Sequence, residues 1–275
     1  MSVIEVVAPG IATSVRDGGR PTMAHLGSSR GGAVDLGALH LANRLVGNPP
    51  HMAAFETSGG LVLRVRRPVM VAVTGSPVDL AVDAGPPVGW GSPVAMPAGS
   101  VLRLGRLRGG ARCYIAVRGG LVANGTEVGP EPFAPPSHTA AVPPILDRSL
   151  RVWPGPRLDW FVDEAWHRLT TTGWTVTAHS DRMGLRLDGA SLDRLVTAEL
   201  VSEGLVEGAI QVPPDGRPIV MLADHPTTGG YPVIAVVDPA DVWLAAQRPP
   251  GGTVRFVAAA RPRLSAQGGY AETLG

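Results

Sequence analysis

The sequence predicts a mainly β protein with a few short helices, and three observations carry that prediction. Short apolar and β-branched runs recur along most of the chain. Glycine (36) and proline (27) are numerous among 275 residues, and they stand between those runs instead of forming a low-complexity block. Helical spacing shows in three places, around Leu36, Phe161 and Val242. Strands that recur this often, with turns between them, make a barrel or a sandwich.

Charge narrows the function classes. Lys+Arg of 24 against Asp+Glu of 23 leaves a net charge of +1, which argues against an electrostatic nucleic-acid or membrane-surface binder. Charged residues are 17% and hydrophobic residues 44%, a balance suited to a chain that covers part of its surface with a partner. The single cysteine, Cys113, lies in an apolar run and reads as a packed core thiol; a lone cysteine fits a reducing compartment. MSVIEVVAPG has no basic region followed by an apolar one, so a cytoplasmic protein is expected.

The first half opens with Val3 to Val7, closed by Pro9-Gly10, and a short run from Ala12 to Val15. Asp17-Gly18-Gly19-Arg20 turns the chain. Gly27 to Asp35, GSSRGGAVD, is small and polar around Arg30. It is either a plain surface loop or a cradle whose backbone N–H groups hold an anion or carboxylate. Asp35 looks like a helix N-cap, Leu36 to Val46 a short helix, and Gly47 its C′ residue. His40 on that helix reads as a satisfied edge residue. Strands follow at Ala53–Thr57, Leu61–Val65, Val69–Thr74, Val78–Val82, Val101–Leu104 and Ala111–Gly119. Glu56 sits inside the first of these, where the solvated face is the ordinary place for a carboxylate.

The later chain begins with a Pro-rich stretch, and helical spacing returns from Pro156 to Leu169. Strands are expected at Trp174–Ala178 and Leu185–Leu187, with an Asp181-Arg182-Met183-Gly184 bend before the second. A third helix is expected after Asp238 as its cap, and a last strand at Thr253–Val257. A turn opening into a strand at Pro97–Leu104 echoes one at Pro250–Val257, which suggests two related halves. The division is 1–130 for the first half, 131–156 for a Pro-rich connection, 157–260 for the second half and 261–275 for a loose tail.

The densest polar chemistry lies in SEGLVEGAIQVPPDGRPIVMLADHPTTGGYPVIAV, from Ser202 to Val236. Apolar strands there end in loops that carry polar groups, the usual construction of a site.

That stretch, with SDRMGLRLDG and RPPGGTVRF, resembles the C-terminal signature of one bacterial family. DGGRPTMAHLGSSRGGAVD, ANRLVGNPP and FETSGGLVLR resemble its N-terminal signature. The family is the C subunit of bacterial 5-oxoprolinase. It also takes in subunit 2 of allophanate-hydrolase-type proteins, the matching part of urea carboxylase, and an antagonist of a sporulation kinase inhibitor. The resemblance spans roughly residues 3 to 257. It implies two cyclophilin-like β-barrel halves in tandem. It also implies a KipI-like B subunit of related fold and a LamB/YcsF-like A subunit as partners, with ATP used to open the 5-oxoproline lactam to glutamate. Carboxyl transfer between carboxybiotin and urea is the alternative, with biotin as cofactor under that reading alone. A non-catalytic, regulatory partner of the KipI-like subunit is the second alternative. One departure stands out: the family's Leu-Gly-Ser-Arg-Ser-Thr motif is missing after Ala116-Val117-Arg118-Gly119-Gly120.

Either reaction needs an acid/base group and cationic or N–H donors for oxyanions. An imidazole is the usual acid/base side chain near neutral pH, and His225 is either that group or a loop organiser bonded to a backbone carbonyl. Asp224 orients it or caps a turn. Thr227, Thr228, Gly229 and Gly230 suit an anion or simply form a tight turn. Tyr231 donates from its phenol or packs. Arg182 is the cation for a carboxylate or phosphate. Glu203 is a base or the partner of Arg182, and Gln211 holds a substrate amide or caps a ladder. No Gly-x-x-x-x-Gly-Lys, no Gly-x-Ser-x-Gly and no Cys/His metal spacing occurs. If ATP binds, the route is family-specific and can be shared with the B subunit. One spatial expectation gathers these residues: the 224–231 corner and the 181–184 bend should face one hollow.

Overall fold

A computed structural model describes residues 3–83, 89–122, 125–130, 135–136 and 140–259. The expected loose tail, 261–275, lies outside the described residues. In chain order the first part contains β1 (Ile4–Ala8), β2 (Ser14–Arg16), α1 (Leu36–Leu45), β3 (Ala54–Thr57), β4 (Val62–Val65), β5 (Val69–Gly75), β6 (Val78–Val82), β7 (Pro93–Met96), β8 (Val101–Leu107), β9 (Cys113–Val117), β10 (Leu121–Val122) and β11 (Glu127–Val128). The second contains β12 (Leu150–Pro154), α2 (Asp163–Thr171), β13 (Gly173–Val176), β14 (Gly184–Asp188), β15 (Glu203–Gly204), β16 (Ala209–Gln211), β17 (Ile219–Met221), β18 (Thr228–Gly229), β19 (Val233–Val237), α3 (Val242–Ala246) and β20 (Thr253–Ala258). The protein is mainly β, with three short α-helices among the described residues.

The first part is two antiparallel sheets over one core. One runs β2-β3-β9-β5-β7 and the other β1-β4-β8-β6. Ile4, Leu63 and Leu102 from the second meet Phe55, Val71 and Ile115 from the first. Strand β9 is buried at every position because it is covered on both faces. Cys113, Ile115 and Val117 point into the core between the sheets, while Tyr114 and Ala116 meet Leu39, Ala42 and Leu45 of α1. Asp35 caps α1 by accepting from Ala38 N at 2.9 Å, and Gly47 follows in the left-handed region at φ 75°, both as the sequence predicts.

The second part closes on itself as a barrel, β12-β19-β16-β17-β14-β13-β20, sealed by the parallel β12–β20 pair. Its alternation is visible in β20, where Val254 and Phe256 are buried and Arg255 is exposed. Val34, from the loop before α1, packs into this second core. The halves therefore interlock instead of merely touching.

Three local expectations are corrected. The Pro-rich connection ends in β12, a barrel strand whose Leu-Arg-Val-Trp alternation is hidden among flanking prolines. The helix expected over Pro156–Leu169 breaks into a 3-10 turn, Leu158–Trp160, and α2, because Phe161 is extended and bridges to Arg194. Asp238 does not cap α3; it accepts from Ala240 N at 3.0 Å in a turn, and α3 starts after Asp241.

Candidate functional site

Arg182 is the residue through which the two halves meet. It lies in the bend before β14, where Asp181 Oδ1 accepts from Met183 N (2.8 Å) and Gly184 N (3.0 Å) and so fixes the turn. Its Nε and Nη2 donate to the two oxygens of Asp224 at 2.8 and 3.1 Å, a bidentate pair. Its Nη1 donates to Glu56 of β3, and Nη2 also donates to the carbonyl of Gly32. One guanidinium thus joins the second barrel's bend and corner to a strand and a loop of the first half. Burial pulls the Arg182 pKa down, but the bonds to Asp224 and Glu56 outweigh it and hold the group above the usual arginine range.

Glu56 is only 2% exposed, so the solvated-face expectation is corrected. A strand carboxylate is tolerated in the interior when its lone pairs are filled. Here Oε1 faces Arg182, and Oε2 accepts from Tyr114 OH (2.8 Å) and Val34 N (3.2 Å). The Tyr114 hydroxyl in turn accepts from Asp35 N at 2.9 Å. Asp35 Oδ2 accepts from Gln247 Nε2 (2.8 Å), and Gln247 Oε1 accepts from Ala111 N and Arg112 N at 3.2 and 3.0 Å. This chain runs unbroken from Asp224 to Gln247 and crosses between the halves twice. Burial raises the Asp35 carboxyl pKa, against the lowering effect of its hydrogen bonds. Burial, with the Glu56 charge, pushes the Tyr114 phenol well above its ordinary range.

The corner and the bend do come into contact, through Arg182 and Asp224. They open, however, on two clefts instead of one. A cleft of about 800 Å³ lies between the halves, with Arg106, Arg112, Arg182 and Arg248 among its lining. A second, of about 480 Å³, lies on the barrel's outer face and takes in Gln211, Tyr231, Pro226 and His179. Asp181 and Met183 line both and form the wall between them.

The other sequence-selected residues fall in distinct places. Asp224 is spent on Arg182 and does not orient His225. His225 is 6% exposed, and its Nδ1 lies 2.7 Å from the carbonyl of Pro226. A carbonyl only accepts, so Nδ1 carries the proton there. Glu203 does not pair with Arg182; Arg157 takes it, with Nε donating at 3.1 Å. Arg30 donates to both oxygens of Glu207 at 2.8 Å and to Ala33 O at 3.1 Å, so its guanidinium ties the halves together. Thr227 O accepts from Leu205 N, and Thr228–Gly229 forms a two-residue ladder with Glu203–Gly204. A Cβ on Gly229 would lie 2.7 Å from the Gln211 side-chain amide, so glycine lets that ladder cross close above it. Gln211 Nε2 donates to Tyr231 O at 2.8 Å, and Gly230 and Tyr231 are exposed beside it. Tyr114, Gln247, Arg112 and Arg248 were not singled out by sequence. The one local signal was a charge against an apolar strand, as in Arg112-Cys113-Tyr114. Among the described residues no group of three or more His, Cys, Asp or Glu side chains is placed to hold a metal ion. No helix among them is long and apolar enough to cross a membrane.

Comparison with known proteins adds the lineage. A family model described as carboxyltransferase domain, subdomain A and B, matches residues 26–129 and 122–258. The chain is 33% identical to the C subunit of 5-oxoprolinase from Escherichia coli K12, over 93% of its own length and 91% of the relative's. The C subunit from Haemophilus influenzae is 30% identical over equal shares. The crystal structure of Kluyveromyces lactis urea carboxylase superposes with a TM-score of 0.84 at 26% identity, over 94% of this chain and 27% of that one. The chain spans 56% of another solved relative at a TM-score of 0.80.

Proposed function

The chain belongs to the family of carboxyltransferase subdomains A and B, and from that premise we propose that it is a subunit of an ATP-dependent 5-oxoprolinase, working with B and A partner subunits at the cleft between its halves. The observation that carries this reading is Arg182, a guanidinium clamped by Asp224 and Glu56 and lining a cleft large enough for a small substrate. Opening a lactam breaks one resonance-stabilised C–N bond. Water supplies oxygen to the carbonyl carbon and a proton to the nitrogen, and ATP hydrolysis to ADP and phosphate drives the step. Arg182, its charge balanced by Asp224 and Glu56, fixes the cleft's wall, and the cationic lining suits the negative charge that develops on the carbonyl oxygen. His225 is not among the residues that line that cleft, and its Nδ1 bonds the Pro226 carbonyl, which supports its reading as a loop organiser.

The test is reconstitution with the B and A subunits and measurement of glutamate released from 5-oxoproline with and without ATP. ATP-dependent release is expected; its absence in an assembled complex rejects the reading. Likeness to urea carboxylase favours a second reading, carboxyl transfer to or from carboxybiotin. Carboxyl exchange with urea or a related amide, without lactam opening, would select it.

A further inference from the structure

We propose that the cleft between the halves contains an oxyanion-binding subsite built by Arg106, Arg112 and Arg248. The lining is lopsided in charge: four arginines face it and a single carboxylate, Asp181, among the described residues. Asp181 is already occupied in part by the N–H groups of its own bend. Arg182 is balanced by Asp224 and Glu56, which leaves the other three to account for.

Each of the three has unused donors. Arg106, on β8, is exposed, and its side chain makes no hydrogen bond or ion pair among the described residues. Arg112 precedes β9; its Nε is buried without a hydrogen-bond partner and stops 3.9 Å from Glu56 Oε1. Arg248 follows α3 with a side chain only 8% exposed, and its Nε is also buried and unpartnered. Nη2 of Arg248 donates to the Arg148 carbonyl, and Nη1 is 3.7 Å from Asp147, a side chain 94% exposed and therefore well screened. A buried donor without an acceptor is costly, and two of the residues that carry one line this cleft. Planar guanidinium forks match carboxylate and phosphate oxygens. The shared chemistry is an oxyanion, supplied either by the carboxylate of a small acid or by the phosphoryl groups of a nucleotide. The inference rests on the proposed reading that substrate occupies this cleft, so binding is measured apart from turnover.

The experiment is calorimetric titration of the full chain at low salt, with 5-oxoproline as one probe and inorganic pyrophosphate as the other. Saturable binding of either probe is expected, with Kd raised about tenfold or more in Arg106→Gln and in Arg248→Lys. A response to 5-oxoproline assigns the carboxylate source, and a response to pyrophosphate the phosphoryl source. Arg106 is exposed, so its variant keeps the fold and carries the test even if Arg248→Lys does not fold. Binding of neither probe, or equal affinity in wild type and Arg106→Gln, overturns the subsite. Arginine-dependent binding without lactam opening in the reconstituted complex would retain the subsite and reject the 5-oxoprolinase reading.

Discussion

Removing Arg182 strands two carboxylates at once, one of them the buried Glu56. Breaking a buried pair from one side costs about 3–5 kcal/mol, so Arg182→Ala should lower the stability read by urea denaturation by that order. Adding Glu56→Gln should recover part of the loss, because the uncompensated charge goes with it. A loss below about 1 kcal/mol would mean that the pair behaves as a solvated one. Cys113 makes a second prediction at this scale. Burial raises its thiol from 9.0 to about 12, so it stays protonated and unreactive in the folded protein. Native chain should resist alkylation that goes to completion in denaturant. The folded pKa lies above the unfolded one. The stability linked to it is therefore complete below about pH 9 and is lost as pH rises toward about 12. Cys113→Ala should make the alkaline fall in melting temperature shallower. The core placement of Cys113 was legible from its apolar run. The role of Glu56 was not, because a carboxylate in a strand reads as surface until the arginine that reaches it from a bend of the other half is known.

Among elements, the loop from Arg30 to Asp35 does the most with the fewest residues. Gly31 N donates to Ala223 O at 3.0 Å, the Gly32 carbonyl accepts from Arg182, Val34 enters the second core and Asp35 caps α1. Gly32 has φ 68°, and a Cβ there would lie 2.7 Å from Asp17 O. Gly32→Ala should therefore cost at least about 1 kcal/mol, through strain and displacement of the carbonyl that Arg182 uses. A thermal melt within about 1 °C of wild type would contradict this. The α1 cap, most strands and the turn glycines were readable because each is set by local chemistry. Strand β12 and the split before α2 were not, since pairing with distant strands and a bridge to Arg194 decide them. The loop's small residues read as a surface loop or an anion cradle; that its backbone meets the other half is a tertiary fact.

At the scale of the whole molecule, Arg30–Glu207, Arg182–Glu56 and Gln247–Asp35 tie the two halves together. Calorimetry should show a single endotherm for the wild type, and Arg182→Met combined with Gln247→Leu should split it. Two transitions in the wild type would contradict the interlock. Of these residues, Arg182 also lines the cleft proposed for the chemistry. The decisive measurement of that placement is the structure of the assembled complex with bound 5-oxoproline. The ligand is expected between the halves, within hydrogen-bond distance of Arg112 or Arg182. A ligand seated on the outer barrel face between Gln211 and Tyr231, or held wholly by a partner protein, would contradict it.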